Sequence, residues 1–316
     1  MKTTTFNLRK SFFLIASIAF GFYAQAQTYD LGLNLKKGEK YTQSTNSQIK
    51  INQNVNGQDI NTEMTVEGTM DFMVTDIENG IFKMDASYDK MKTAVGMGGS
   101  MSATLNKMEY SSESPDSSDV FSSVLASMTG KTFQIYIDKT GEITEVQNLM
   151  NLWKESIESS DQNGQMQSQI RSQLMKSYGE KALKGNLEMA THIYPGHPVK
   201  KGEKWTTETQ MSSTFKANIK TDFHLAEITK DYAIIKGNST IKTLDNDKYV
   251  EQSGMKMNYD ISGTMTSEIK VDRKSGWIIK STIDQKMDGT VKIKSPQLPS
   301  EMEMPMSMTN HLTVTN

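Results

Sequence analysis

The run Lys36-Lys37-Gly38-Glu39-Lys40-Tyr41 returns, almost unchanged, as Lys200-Lys201-Gly202-Glu203-Lys204-Trp205. A second pair lies downstream of these: Tyr136-Ile137-Asp138-Lys139-Thr140-Gly141 and Lys270-Val271-Asp272-Arg273-Lys274-Ser275-Gly276. Landmarks that recur in one order mark an internally repeated unit. The offset between equivalents falls from 164 at Lys37/Lys201 to 151 at Ile77/Ile228 and 134 at Asp138/Asp272. The first unit therefore carries extra residues before and after its middle landmark. The hairpin at Asn56-Gly57 and the Ser-rich stretch 111–118, with a short helix after it, are where a duplicated β-unit tolerates them.

Between the landmarks the period is two. Ile60, Thr62, Met64, Val66, Gly68, Met70, Phe72 and Val74 share one side, opposite Asn61, Glu63, Thr65, Glu67, Thr69, Asp71 and Met73. One largely apolar and one largely polar face define a half-buried strand. Ile49, Ile51 and Val55 alternate upstream. Asn56-Gly57 between the runs suits a type I′ turn, whose central positions both need positive φ. A two-residue loop pairs Ile49 with Met64 and Ile51 with Thr62, so turn and alternation agree. At Asn79-Gly80 they disagree. A two-residue loop there sets Phe72 and Val74 against Ser87 and Asp85, off the apolar series Phe82, Met84, Ala86 and Tyr88, so a bulge or longer loop is expected. Residues 111–118 read as a polar loop and 118–128 as a short helix, before a strand through Phe133, Ile135 and Ile137.

In the middle of the chain the period changes. Val146, Leu149, Met150, Trp153 and Ile157 fall at helical spacing, as do Met166, Ile170, Leu174 and Tyr178. Two or three helices are expected between about 145 and 191, ended by Pro195-Gly196-His197-Pro198. The reading is a mainly β (α+β) chain: a first antiparallel β-unit over 27–144, a central helical insertion over 145–198, and a related second unit over 199–316.

Residues 1–26 have the form of a secretory signal peptide. Lys2, Arg9 and Lys10 are its basic region, Phe12 to Tyr23 its apolar core, and Ala24-Gln25-Ala26 its cleavage site, so the mature chain is expected to begin at Gln27. No later stretch is long and apolar enough for a membrane span, so none is expected after signal cleavage. The sequence has no cysteine, which excludes disulfides, thiol catalysis and thiolate-held zinc, and favours a released over a lipid-anchored product. Loss of three basic residues takes the formal charge from −2 to −5, which gives no electrostatic reason to bind nucleic acid. A periplasmic or secreted location is expected.

The segment from Tyr194-Pro195-Gly196-His197-Pro198 to Trp205, together with the Asp-Lys-Thr-Gly turn after Ile135-Tyr136-Ile137, resembles a group of uncharacterised secreted proteins of Gram-negative bacteria that carry a domain of unknown function. The resemblance covers most of the mature chain, through structural turns and not catalytic signatures. More distantly, long antiparallel strands with a helical insert are similar to the lipoprotein-carrier folds. That likeness implies an open half-barrel with a helical lid and a groove for an amphiphile.

No catalytic residue, cofactor site or metal site is assigned. His192, His197, His224 and His311 form no His-Glu-x-x-His helix, and His192 with His197 flanks a Pro-Gly turn read as a solvated loop. No Gly-x-Ser-x-Gly elbow occurs. Gly96-Met97-Gly98-Gly99-Ser100 lacks the Lys-Ser/Thr of a phosphate loop and reads as a turn or bulge. Glu142, Glu145, Glu203 and Asp272 sit in turns or on polar faces. The one compositional oddity is 23 methionines. Met302, Met304, Met306 and Met308 alternate on one strand face, and Met255 with Met257 repeats this locally. Three readings stay open for the four: core filling, an adaptable groove for a lipid-like ligand, or a soft-metal site. Pro305 among them predicts an edge strand or a bulge. The functional expectation is a non-catalytic exported envelope protein that binds a lipid-like small molecule or an envelope protein. The alternatives are a structural or surface interaction module and an unrecognised hydrolase.

Overall fold

A computed structural model describes residues 27–55, 57–99, 102–113, 119–159, 164–212, 215–252, 254–298 and 300–316. Residues 1–26, expected to be an export signal, Asn56 and most of the polar loop expected at 111–118 lie outside them. Strands β1 (Thr28–Tyr29), β2 (Lys40–Val55), β3 (Gln58–Glu78), β4 (Ile81–Gly99) and β5 (Ser102–Ser111) lead into helix α1 (Val120–Met128). Strands β6 (Thr132–Asp138) and β7 (Ile143–Gln147) precede helices α2 (Leu149–Glu158), α3 (Gly164–Tyr178) and α4 (Glu180–Thr191). The second half holds β8 (Val199–Lys200), β9 (Lys204–Ser212), β10 (Lys216–Ile228), β11 (Tyr232–Thr243), β12 (Val250–Gln252), β13 (Met255–Asp272), β14 (Ile278–Lys294) and β15 (Met302–Thr315).

One large antiparallel sheet runs β7-β6-β4-β3-β2-β15-β14-β13-β11-β10-β9, with β5 beside β4 and β12 beside β13. The order exposes the repeat. The meander β2-β3-β4-β6-β7 has its counterpart in β9-β10-β11-β13-β14, and β15 joins the last strand of the second to the first strand of the first. The repeated sequences occupy matching turns. Gly38 and Gly202 both take positive φ (83° and 82°). Their N–H groups donate to Val74 O and Leu225 O respectively, each at 2.8 Å. Asp138 Oδ1 accepts from Thr140 N and Glu142 N, and Asp272 Oδ1 from Lys274 N and Ser275 N. Segment 31–35 threads between these two turns, with Leu33 N on Lys139 O and Asn34 N on Ser275 O.

The β2–β3 hairpin keeps the expected register, Ile49 opposite Met64 and Ile51 opposite Thr62. At Asn79-Gly80 the turn is two residues after all, and a bulge at Thr75 restores Val74 to Met84 and Phe72 to Ala86. The glycine-rich stretch is strand up to Gly99, with a register shift against β5 between Met97 and Gly99. Three helices fill the helical stretch. Val146 does not join them: it lies in β7, paired with Ile135. Asn148 at φ 67° ends the strand and begins α2, so the change of period comes two residues after Val146. Asp119 caps α1 by accepting from Phe121 N at 3.0 Å. Leu149, Trp153 and Ile157 recur at four-residue spacing and are the buried face of α2.

The sheet's edges, β7 and β9, do not pair with each other. Helix α4 touches both. Gly185 lets it approach β9 so closely that an added Cβ would stand 2.8 Å from Gln210 O. On the other side Glu188 reaches Ile143 of β7. A sheet whose two edges meet one helix is curled around it, an open half-barrel and not a closed one. The longest strands, β3 (21 residues), β4 (19), β13 (18), β14 (17) and β2 (16), flank β15 in the middle of the sheet.

Candidate functional site

Between the inner sheet face and helices α3 and α4 lies a cavity of about 360 Å³. Its floor is built by strand alternation and register. Gln43, Met70 and Tyr88 are direct cross-strand neighbours on β2, β3 and β4. The next rows are Val314-Thr45-Gly68-Met91 and Leu312-Ser47-Val66-Thr93, followed by Ile49-Met64-Val95. The roof is Tyr178 of α3 with Leu183, Asn186, Leu187 and Met189 of α4. Most of this lining is apolar, which is the composition of small-molecule sites.

The polar atoms fall into two groups. Thr93 Oγ1 and Tyr178 OH share a hydrogen bond of 3.2 Å across floor and roof. Ser47 Oγ donates to Asn310 Oδ1 at 2.7 Å, and Asn310 Nδ2 to Gln285 Oε1 at 3.0 Å. Gln43 Oε1 and Tyr88 OH, by contrast, have no partner among the described residues. Their residues are only 4% and 5% exposed. A buried polar group without a partner is uncommon and costs free energy. Burial also pushes the Tyr88 phenol above its ordinary pKa, with a lesser contribution from Tyr178. Glu67 is the one charged residue among the described lining. It lies on the opposite parity of β3, where Asn46 Nδ2 donates to its Oε1 at 3.1 Å.

Met302, Met304, Met306 and Met308 share the inner face with Leu312 and Val314 but stand farther along β15, beyond the residues that line the cavity. Met304 is buried and the other three are half-buried against the core. The expected edge strand is corrected here: β15 lies between β14 and β2 in the middle of the sheet. Pro305 is tolerated because β2 ends its pairing with β15 at Gln53–Met306, one residue short of it. His192 is half-buried, not on a solvated loop, with Nδ1 3.5 Å from Thr209 Oγ1, and His197 turns back on Pro195 O. Among the described residues no three His, Asp or Glu side chains gather as a metal site.

Gln43 and Tyr88 were not singled out by the sequence. Gln43, Thr45 and Ser47 interrupt the inner-face series of β2 between Tyr41 and the later isoleucines. A polar residue at a core parity position was the available signal.

The molecule is thus an antiparallel half-barrel wrapped on its own helical insertion, with a largely apolar internal cavity. The chain belongs to a family of unknown function, DUF6263, whose model matches residues 79–278. No curated protein matches it. Among solved structures it is similar to lipovitellin, in a study of lipid–protein interactions, at 8% identity over 88% of this chain and a TM-score of 0.48. The chain spans 25% of that lipovitellin chain. It is also similar to the COG4313 outer membrane channel of Pseudomonas putida F1, at 8% identity over 90% of this chain and 97% of the channel (TM-score 0.26). A third likeness is OccK7 (OpdD) of Pseudomonas aeruginosa, at 6% identity over 88% of this chain and 99% of that chain (TM-score 0.24). No helix among the described residues is long and apolar enough to cross a membrane.

Proposed function

We propose that this protein is an exported, non-catalytic carrier of a hydrophobic or amphiphilic small molecule, held between the inner sheet face and helices α3 and α4. The observation that carries the reading is the cavity itself, about 360 Å³ and mostly apolar. Its volume falls within the ~300–1,000 Å³ range of ligand sites. The non-catalytic part rests on the lining chemistry: among the described residues Glu67 is the one carboxylate of the lining and pairs with Asn46 on the other face, and no acid–base pair of described residues lines the space. Export to the periplasm or beyond rests on residues 1–26, and N-terminal sequencing of secreted material is expected to begin at Gln27 or its cyclised form.

Native mass spectrometry of protein purified from its own cell envelope tests the reading. A retained small molecule appears as added mass, and Val66→Trp, which projects an indole into the cavity, abolishes it while the far-ultraviolet circular dichroism is unchanged. Protein that carries no added mass and binds no hydrophobic probe overturns the proposal.

A further inference from the structure

We propose that Met97 and Met108 form an oxidation site at the mouth of the cavity, and that their conversion to sulfoxides by a peroxide lowers the cavity's affinity for an apolar ligand. The consequence for binding rests on the carrier reading. The site itself rests on exposure and strand register.

The mouth is located by burial along the inner sheet face. Gln43, Met70 and Tyr88 are buried. Two rows on, Ser47, Val66 and Thr93 are half-buried, and that row is part polar. Ile49, Met64, Val95 and Met108 are then four apolar cross-strand neighbours, the first three half-buried and lining the cavity. Met108 is 46% exposed. In the row beyond, Ile51 and Thr62 are half-buried and Met97 is 49% exposed. The covered space therefore opens at these two methionines.

Both side chains are on the cavity's face of the sheet. Met97 has the parity of Val95 on β4. Met108 Sδ accepts from Tyr110 OH at 3.7 Å, and Tyr110 lines the cavity, packed on Phe121 with ring centroids 5.0 Å apart. That hydrogen bond uses one of the sulfur's two lone pairs. Among the described methionines only Met73 and Met150 are comparably exposed, at 39% and 43%. Neither is in the described lining, and Met73 is on the opposite face of β3. The chain has no thiol to compete for an oxidant.

The step balances with hydrogen peroxide as co-reactant. The thioether sulfur attacks one peroxide oxygen, an S–O bond forms and the O–O bond breaks. The proton on the attacked oxygen passes to the departing hydroxide, which leaves as water. Sulfur loses two electrons and the peroxide gains them. A flexible apolar side chain becomes a polar one, which spoils methionine-lined surfaces. Here a ligand's methylenes would meet a sulfoxide dipole that has to shed water to let them pass.

The test treats purified protein with hydrogen peroxide, removes the excess with catalase, and follows peptide mass maps and the affinity for N-phenyl-1-naphthylamine together. Met97 and Met108 are expected to gain one oxygen each before the buried Met70, Met91, Met265 and Met287 do. As they do, the probe's Kd is expected to rise about three- to tenfold, with far-ultraviolet circular dichroism unchanged. The double variant Met97→Leu, Met108→Leu should keep its affinity under the same treatment, and Met73→Leu, Met150→Leu should lose it as the unmodified protein does. Methionine sulfoxide reductases with dithiothreitol should restore the oxidised protein. Affinity unchanged once Met97 and Met108 are oxidised, or a loss that the reductases do not reverse, overturns the inference, and both are read on the unmodified protein. So does an equal loss in the Met97→Leu, Met108→Leu variant. Each of these leaves the carrier reading intact. No probe binding before oxidation overturns that reading and the proposed effect with it.

Discussion

Glu188 Oε1, on α4, accepts the backbone N–H of Ile143, the first residue of edge strand β7, at 2.9 Å. A helix side chain thus occupies a hydrogen-bonding position on a sheet edge, where another strand would otherwise add. The same helix lies against β9 through Gly185, so one element covers both ends of the main strand order, β7 and β9.

The Glu188 contact makes a pH-dependent prediction. Burial pushes its carboxyl above the ordinary value of 4.5, and the Ile143 N–H and Lys184, 3.5 Å away, offset this only in part. The folded state therefore holds the proton more tightly than the unfolded state. This group's contribution is fully present below pH 4.5 and is lost as pH rises through the folded value. Glu188→Gln keeps an acceptor for Ile143 and removes the titration. Its stability relative to the unmodified protein is expected to improve between pH 4.5 and pH 7. Glu188→Ala orphans the Ile143 N–H and is expected to cost about 1–3 kcal/mol at both. Urea unfolding at the two pH values checks both variants.

Gly141 and Gly57 share a left-handed backbone, φ 86° and 82°, but not their surroundings. A Cβ at Gly141 would stand 1.7 Å from Thr191 O, whereas nothing lies within 4 Å at Gly57. Gly57→Ala is expected to cost only the conformational penalty, about 1 kcal/mol. Gly141→Ala must also push the turn away from the end of α4, and a loss of about 3 kcal/mol or more is expected. Thermal melts of both variants compare them. Similar losses would place the insertion's contact with this turn elsewhere.

Met70 and Asp71 are neighbours with opposite fates. Met70 is buried between Gln43 and Tyr88, while Asp71 takes Lys40 and Thr42 as partners, each at 2.8 Å, on the outer face. Met70→Asp buries a carboxylate without a partner and is expected to cost more than about 3 kcal/mol. Asp71→Asn loses a partly exposed pair and is expected to change stability by less than about 1 kcal/mol. Denaturant titration of the two single variants is the check.

These contrasts show what the sequence encodes locally and what it does not. Alternation from Ile60 to Val74 assigned the inner face, because strand period and turn chemistry are properties of adjacent residues. The bulge at Thr75 was legible as a conflict between turn and pattern. The repeat was legible because its turns depend on Gly38, Gly202 and the two aspartates. The site was not. Gln43 and Tyr88 come into one row, on either side of Met70, only through the pairing of β2, β3 and β4, and neither carries a motif. The central position of β15 was hidden for a similar reason. Its partner β2 lies more than 250 residues away in sequence, and Pro305 looked like an edge residue until that partner's length was known.

The methionines of β15 divide by burial, and this separates core from groove. Met304 is buried opposite Val291, and Met304→Ser is expected to cost about 2–4 kcal/mol, as large-to-small core changes do. Met306 is half-buried between Gly289 and Gln53, and Met306→Ser is expected to cost less than about 1 kcal/mol. An amphiphile longer than the cavity would lay its last methylenes toward Met308 and Met306, beyond the lining residues on the same face. Each buried methylene contributes about 0.8 kcal/mol at most, so binding is expected to tighten about tenfold or more from 1-octanol to 1-dodecanol. Met306→Ser should flatten that gain while the melting temperature stays within about 2 °C. Probe displacement across the alcohol series, measured alongside thermal melts, reads both quantities. A chain-length gain that survives the substitution, or a Met306→Ser variant as unstable as Met304→Ser, would assign the methionine row to the core and end the ligand path at Ile49 and Val95.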